Sequence, residues 1–204
     1  MNSSLEPTAE PKTATDEPAV SHDHRDVPGV DARPYAPAIN PEQGDVSDED
    51  RAAVKRERGR APRGVVAVAA RCVCGRPTVV RTAPRLPDGT PFPTSFYLTH
   101  PGAVSAVSTL EASGLMTQMT ERLAEDADLA AAFRAAHEDY LVARAELGDV
   151  PEIEGISAGG MPGRVKCLHV LVGHALARGK GVNPFGDEAL ELIAHEWSPN
   201  RCTC

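Results

Sequence analysis

Gly64-Val-Val-Ala-Val-Ala-Ala70 and Thr78-Val-Val-Arg-Thr82, separated by Cys72-Val73-Cys74-Gly75-Arg76-Pro77, decide the fold class. Both outer runs are β-prone, and the segment between them carries the Gly and Pro of a turn, so the economical reading is a hairpin. Moving downstream, Leu86-Pro87-Asp88-Gly89-Thr90-Pro91 is a second turn, and Thr94-Ser95-Phe96-Tyr97-Leu98-Thr99 has the β-branched and aromatic content of a third strand. Upstream, Ser47 caps a helix with acids in its first turn and Lys55, Arg56 and Arg58 near its end, stopped by Gly59 and Pro62. Everything after residue 99 reads as helix. Thr99 is placed to cap, Pro101 suits the first helical position, and the apolar stripe runs to a break at Gly114. Further helices are expected at 115–125, 128–147, 164–178 and 187–196. In the long one Leu129, Phe133, Ala136, Tyr140, Ala143 and Leu147 form the core face, which leaves His137 as a flanking residue. Strands first and helices after predict an α+β domain: a small antiparallel sheet of about three strands packed by four to six helices.

The chain has 204 residues, 41% hydrophobic and only 4% aromatic, so the core is built mainly from Ala, Val and Leu. Charge is segregated. Residues 1–50 hold 3 basic and 12 acidic groups, 51–85 hold 10 and 1, and 86–204 hold 8 and 16. With seven prolines and one aromatic, residues 1–46 cannot bury enough surface to offset ordering entropy, and they read as a disordered acidic, Pro-rich tail. Residues 47–204 read as one α+β domain whose last segment, 197–204, is prone to fray. The first residues have no basic and apolar leader pattern, and the longest apolar run, Val65–Ala70, is far short of the ~20 residues of a membrane helix. The expectation is a cytoplasmic protein with no membrane association. The net charge of −8 disfavours general binding to nucleic acid.

Five cysteines in a reducing compartment argue against a disulfide framework and leave core thiols, metal ligands or reactive groups. Cys72, Cys74, Cys202 and Cys204 form two pairs that could complete a tetrahedral zinc site. Each pair is separated by one residue, whereas structural zinc knuckles use two to four, so a small buried Cys72 and a frayed terminal pair is the competing reading.

A second candidate is the glycine-rich run Gly159-Gly160-Met161-Pro162-Gly163-Arg164-Val165-Lys166 entering a helix. Free backbone N–H groups at Gly159, Gly160 and Gly163, with Arg164 and Lys166, would suit a phosphate-bearing ligand or polyphosphate. The spacing is not that of a P-loop, and a flexible connection is the bland alternative. A third candidate is catalytic: Cys167, in the first turn of that helix beside Lys166, as nucleophile with His169 or His100 as acid–base partner. Two positions apart in regular helix, Cys167 and His169 point away from each other and cannot chelate one metal. The ten cations of 51–85 have no interleaved aromatics, so a solvated face, or one paired with the acidic tail, is preferred to a single-strand binding surface.

Together, Arg71-Cys72 with Gly75-Arg76-Pro77, the run Leu86 to Thr94, Leu110-Glu111-Ala112-Ser113-Gly114 and Val165-Lys166-Cys167-Leu168-His169 resemble the actinobacterial domain of unknown function 501 family over about Asp48 to Glu191. That resemblance implies no catalytic residue. It implies cytoplasmic residence and a gene neighbourhood with a septum-formation initiator and an exopolyphosphatase, hence those two proteins as partners. It also directs attention to Cys72, Cys167 and His169, with His100, as a mixed Cys/His site. The functional expectation is a small anion- or phosphate-ligand-binding or regulatory domain with a Cys/His metal site. The alternatives are a thiol- or metal-dependent hydrolase using Cys167 and His169, and an interaction partner in cell division or polyphosphate metabolism.

Overall fold

A computed structural model describes residues 1, 46–60, 63–201 and 204. The expected acidic tail, but for Met1 and Val46, and Cys202 lie outside the described residues.

Ser47 begins α1 (Asp48–Arg58) with a capping box: the Asp50 amide donates to Ser47 Oγ (3.1 Å) and the Ser47 amide donates to the Asp50 carboxylate (3.3 Å). Gly59, at φ 69, ends it in the left-handed conformation that glycine adopts without strain. Strands β1 (Val65–Arg71), β2 (Pro77–Thr82) and β3 (Phe96–Leu98) form an antiparallel sheet in that order, with register shifts along β1. Central β2 is buried along most of its length because both of its faces are covered. One face meets the main core; on the other, Val46, Val54, Val65, Val68 and Val80 make a small second core under α1.

The helices are α2 (Pro101–Ala112), α3 (Leu115–Glu125), α4 (Ala127–Ala145), α5 (Leu168–Arg178) and α6 (Pro184–Leu192), with a 3-10 turn at Pro151–Ile153. The three-stranded sheet and six helices match the expected class. Helix α5 is the axis of the domain, buried from Leu171 through Ala177 without a break. A helix buried on all sides needs close neighbours, and two glycines supply the room. A Cβ at Gly173 would lie 3.2 Å from the Phe96 carbonyl oxygen of β3, and one at Gly186 would lie 2.3 Å from the Leu171 carbonyl oxygen. The few aromatics gather here: Phe96, Phe133, Tyr140, Phe185 and Trp197 are all at most 1% exposed.

His174 of α5 belongs to this interior. Its Nε2–H donates to Asp139 Oδ2 (2.9 Å), Asn183 Nδ2 donates to its Nδ1 (3.2 Å), and Arg178 clamps the same carboxylate at 2.7 and 2.9 Å. Burial works to raise the Asp139 pKa, but His174 and Arg178 outweigh it and hold the group well below the ordinary carboxylate range.

Three sequence expectations need correction. The N-cap of α2 is His100, not Thr99: its Nδ1 accepts from the Gly102 amide at 3.1 Å and the Ala103 amide at 3.5 Å. Helix α5 starts at Leu168 rather than 164, because the Lys166 and Cys167 amides turn back to the Gly159 carbonyl (2.7 and 3.3 Å) instead of entering a helical ladder. Helix α6 lies three to four residues earlier than 187–196, started by Asn183 and Pro184. Among the described residues no helix is long and apolar enough to cross a membrane.

Candidate functional site

Two separate Cys/His clusters emerge. The first gathers around the β1–β2 turn. Cys72, 3% exposed, directly follows β1, and the turn is closed by Gly75 N–H to the Cys72 carbonyl and Cys72 N–H to the Arg76 carbonyl, both 2.8 Å. Cys74 stands on that turn. Cys204 arrives from the other end of the chain, its Sγ 3.8 Å from Cys72 Sγ, 3.3 Å from Cys74 Sγ and 3.1 Å from His100 Nε2. What brings the C-terminal segment here is Trp197, which is buried and packs its ring 5.3 Å from that of His100. The ligand atoms of Cys72, His100 and Cys204 all lie within 4.8 Å of one another.

The electrostatics of this cluster oppose bare ionisation. Burial pushes the Cys72 thiol up, and burial together with Arg76 holds His100 below its ordinary value. The His100 tautomer follows from its cap: Nδ1 accepts two helix amides, so the hydrogen of the neutral ring sits on Nε2 and points at Cys204 Sγ.

The second cluster joins α2 to the start of α5. Because Cys167 is the extended N-cap of α5 (φ −152°, ψ 110°) rather than a helical residue, it and His169 are not on opposed faces, which corrects the sequence expectation. Glu111 of α2 completes the group, the three ligand atoms lying within 4.8 Å of one another. Glu111 Oε1 is 3.0 Å from His169 Nδ1 and also accepts from the Leu168 amide (2.7 Å), so it occupies the positive end of α5. His169 Nε2 faces the Val104 carbonyl and Ser108 Oγ, each at 3.2 Å. Contact with Cys167, and then the charge and hydrogen bond of Glu111, push the His169 pKa up to about 9 against the effect of burial. Burial of Glu111 works the other way, but its imidazole partner leaves the carboxyl below its ordinary value. Cys167 therefore does not join Cys72 and His100 in one mixed site.

The glycine run is built for packing. A Cβ at Gly160 would meet the Arg164 carbonyl oxygen at 2.6 Å, and one at Gly159 would meet Leu171 Cδ2 at 2.9 Å. Its downstream amides are engaged internally: Arg164 to Gly160 (3.1 Å), Val165 to Thr120 Oγ1 (3.0 Å), Lys166 and Cys167 to Gly159, Leu168 and His169 to Glu111. The Arg164 and Lys166 side chains are exposed; Gly163 carries no close contact for an added Cβ. The amides from 164 to 169 already have partners and are not available to an anion. Half of the ten cations in the basic segment have partners within the domain: Arg58 donates to Tyr97 Oη, Arg63 pairs with Asp88, Arg71 with Asp50, Arg81 with Glu146 and Arg85 with Glu152.

Sequence reasoning missed Glu111 and underrated His100. Pro101 was the available signal for His100, since a proline in the first helical turn marks the preceding residue as the cap. Nothing in the local sequence distinguishes Glu111 from a solvated acid on an amphipathic helix.

A family model described as a protein of unknown function, DUF501, matches residues 68–191. No curated protein and no solved structure matches the chain. The matched stretch contains Cys72, Cys74, His100 and the whole of the second cluster, and ends before Cys204.

Proposed function

For a chain that belongs to the DUF501 family, whose description carries no activity to transfer, we propose a metal-binding function in which a zinc ion ties the segment around Cys204 to the β1–β2 turn. The observation that carries it is the approach of the Cys204 sulfur to within 3.3 Å of Cys74 Sγ and 3.8 Å of Cys72 Sγ, from 130 and 132 positions away in the chain. Tetrahedral zinc with bonds near 2.3 Å sets its sulfurs about 3.8 Å apart. Three thiols brought this close, Cys72 of them buried, are unfavourable as neighbouring anions, and a divalent cation reverses that balance by deprotonating them outright. The short one-residue spacing is served by geometry: Cys72 directly follows a strand, Cys74 rides the turn, and both meet a third sulfur from outside the turn.

His100 has a supporting role in this reading. Its Nε2–H donates to the Cys204 thiolate, in the way that groups around a metal centre orient and neutralise the ligands. Cys202, two residues before Cys204 in the sequence, would supply the fourth thiolate. With four thiolates the coordination sphere is closed, so the centre is structural rather than catalytic. Zinc competition with a chromophoric chelator tests it: the account expects Cys202→Ser to abolish tight binding and His100→Gln to weaken it about 10–100-fold. Failure of the wild-type chain to outcompete a micromolar chelator would overturn the proposal.

A further inference from the structure

We propose that Glu111, Cys167 and His169 form a second metal site, distinct from the thiolate centre and open on one side to a cleft. The donors are a carboxylate from α2, a thiol from the N-cap of α5 and an imidazole from its first turn, all within 4.8 Å of one another. This donor set suits zinc or a neighbouring first-row divalent ion. Glu111 Oε1 and His169 Nδ1 stand 3.0 Å apart. Tetrahedral bonds of 2.0–2.2 Å place such a pair about 3.3 Å apart, so the ion is accommodated by a shift of a few tenths of an ångström.

The imidazole is oriented for the purpose. Its remote nitrogen Nε2 faces the Val104 carbonyl, which only accepts, so Nε2 carries hydrogen and Nδ1 is the atom turned to Glu111 and Cys167. An imidazole that donates its other N–H to a backbone carbonyl is the usual arrangement of a metal-ligating histidine. His100 has the reverse arrangement, with amides donating to Nδ1. When the ion binds, the Nδ1 proton and the Cys167 thiol proton pass to solvent.

The fourth position has somewhere to face. Cys167 and His169 line a cleft of about 350 Å³ whose other walls include Phe96, Leu98 and Val170, with Arg58 and Tyr97 also in the lining. Three protein ligands and an accessible fourth position are the pattern of zinc sites that polarise a substrate oxygen or activate water. The lining fits a small molecule with an apolar body and an anionic group, the latter within reach of Arg58.

Cobalt(II) titration of the full chain, read by thiolate-to-cobalt charge-transfer absorption, separates the two centres. The expected result is two cobalt equivalents for the wild type, one for Cys167→Ser, and one for Glu111→Gln, which keeps an acceptor for the Leu168 amide and has an unchanged near-ultraviolet circular dichroism spectrum. Azide is expected to alter the cobalt spectrum of the wild type and to leave that of Cys167→Ser unaltered. A wild-type stoichiometry that Cys167→Ser and Glu111→Gln both leave unchanged would overturn this second site without touching the first. Loss of cobalt in Cys72→Ser alone would speak only to the first.

Discussion

The two Cys/His clusters use the same residue types to opposite ends. At the β1–β2 turn, the partners come from residues 72, 74, 100 and 204, and a histidine whose Nδ1 caps α2 turns its protonated nitrogen toward sulfur. At the start of α5, a histidine whose Nε2 is fixed by a carbonyl turns its other nitrogen toward a carboxylate and a thiol beside a cleft. The difference lies in which ring nitrogen the backbone engages, and it assigns one histidine to support and the other to ligation. Counting cysteines and histidines cannot reveal this.

Metal removal is expected to have the largest effect. With free zinc a thousandfold above Kd, binding stabilises the fold by about 4 kcal/mol per site, so a strong chelator should lower Tm by many degrees in the wild type and by distinctly less in Cys72→Ser, which keeps only the Cys167 centre. Equal shifts in both would erase the contrast between the centres. Next comes the metal-independent control. Asp139→Asn strips charge from the hydrogen bonds to His174 and Arg178, an expected loss of roughly 2–3 kcal/mol at neutral pH with metal content unchanged. Because the Asp139 pKa is depressed in the folded state, its contribution is present above the unfolded value near 3.8 and is lost as pH falls through the range below it. Denaturant titrations of wild type and variant should therefore converge in acid.

Smaller effects sharpen the comparison further. His100→Gln should weaken the turn centre 10–100-fold in chelator competition while leaving the Cys167 centre unchanged. Ser108→Ala removes one of the two groups that face His169 Nε2, leaves the Val104 carbonyl in place, and should weaken cobalt at that centre by at most about tenfold. If Ser108→Ala instead affects the Cys72 centre, the two are not independent.

Local chemistry was legible in the sequence where it acts locally. Ser47 and Gly59 bound α1, the Gly75-Arg76-Pro77 turn makes the hairpin, and Gly114 separates α2 from α3. The Cys72, Cys74 and Cys204 grouping was legible from pairing alone, although spacing argued against it. What could not be read depends on contacts distant in sequence. Glu111 is defined by α2 packing on α5, and the late start of α5 is set by the Gly159 carbonyl capturing two amides seven and eight residues on. At Gly159 and Gly160 close packing and ligand approach demand the same absent side chain, so the glycines alone do not separate the two readings.

The central claim is that metal joins the hairpin turn to the C-terminal cysteines, and elemental analysis tests it most directly. Protein purified without chelator or metal-affinity resin, as wild type and as Cys72→Ser, should show stoichiometric zinc at the turn centre in the first and its loss in the second. Wild-type protein free of metal, or metal content unchanged by Cys72→Ser, would contradict the account.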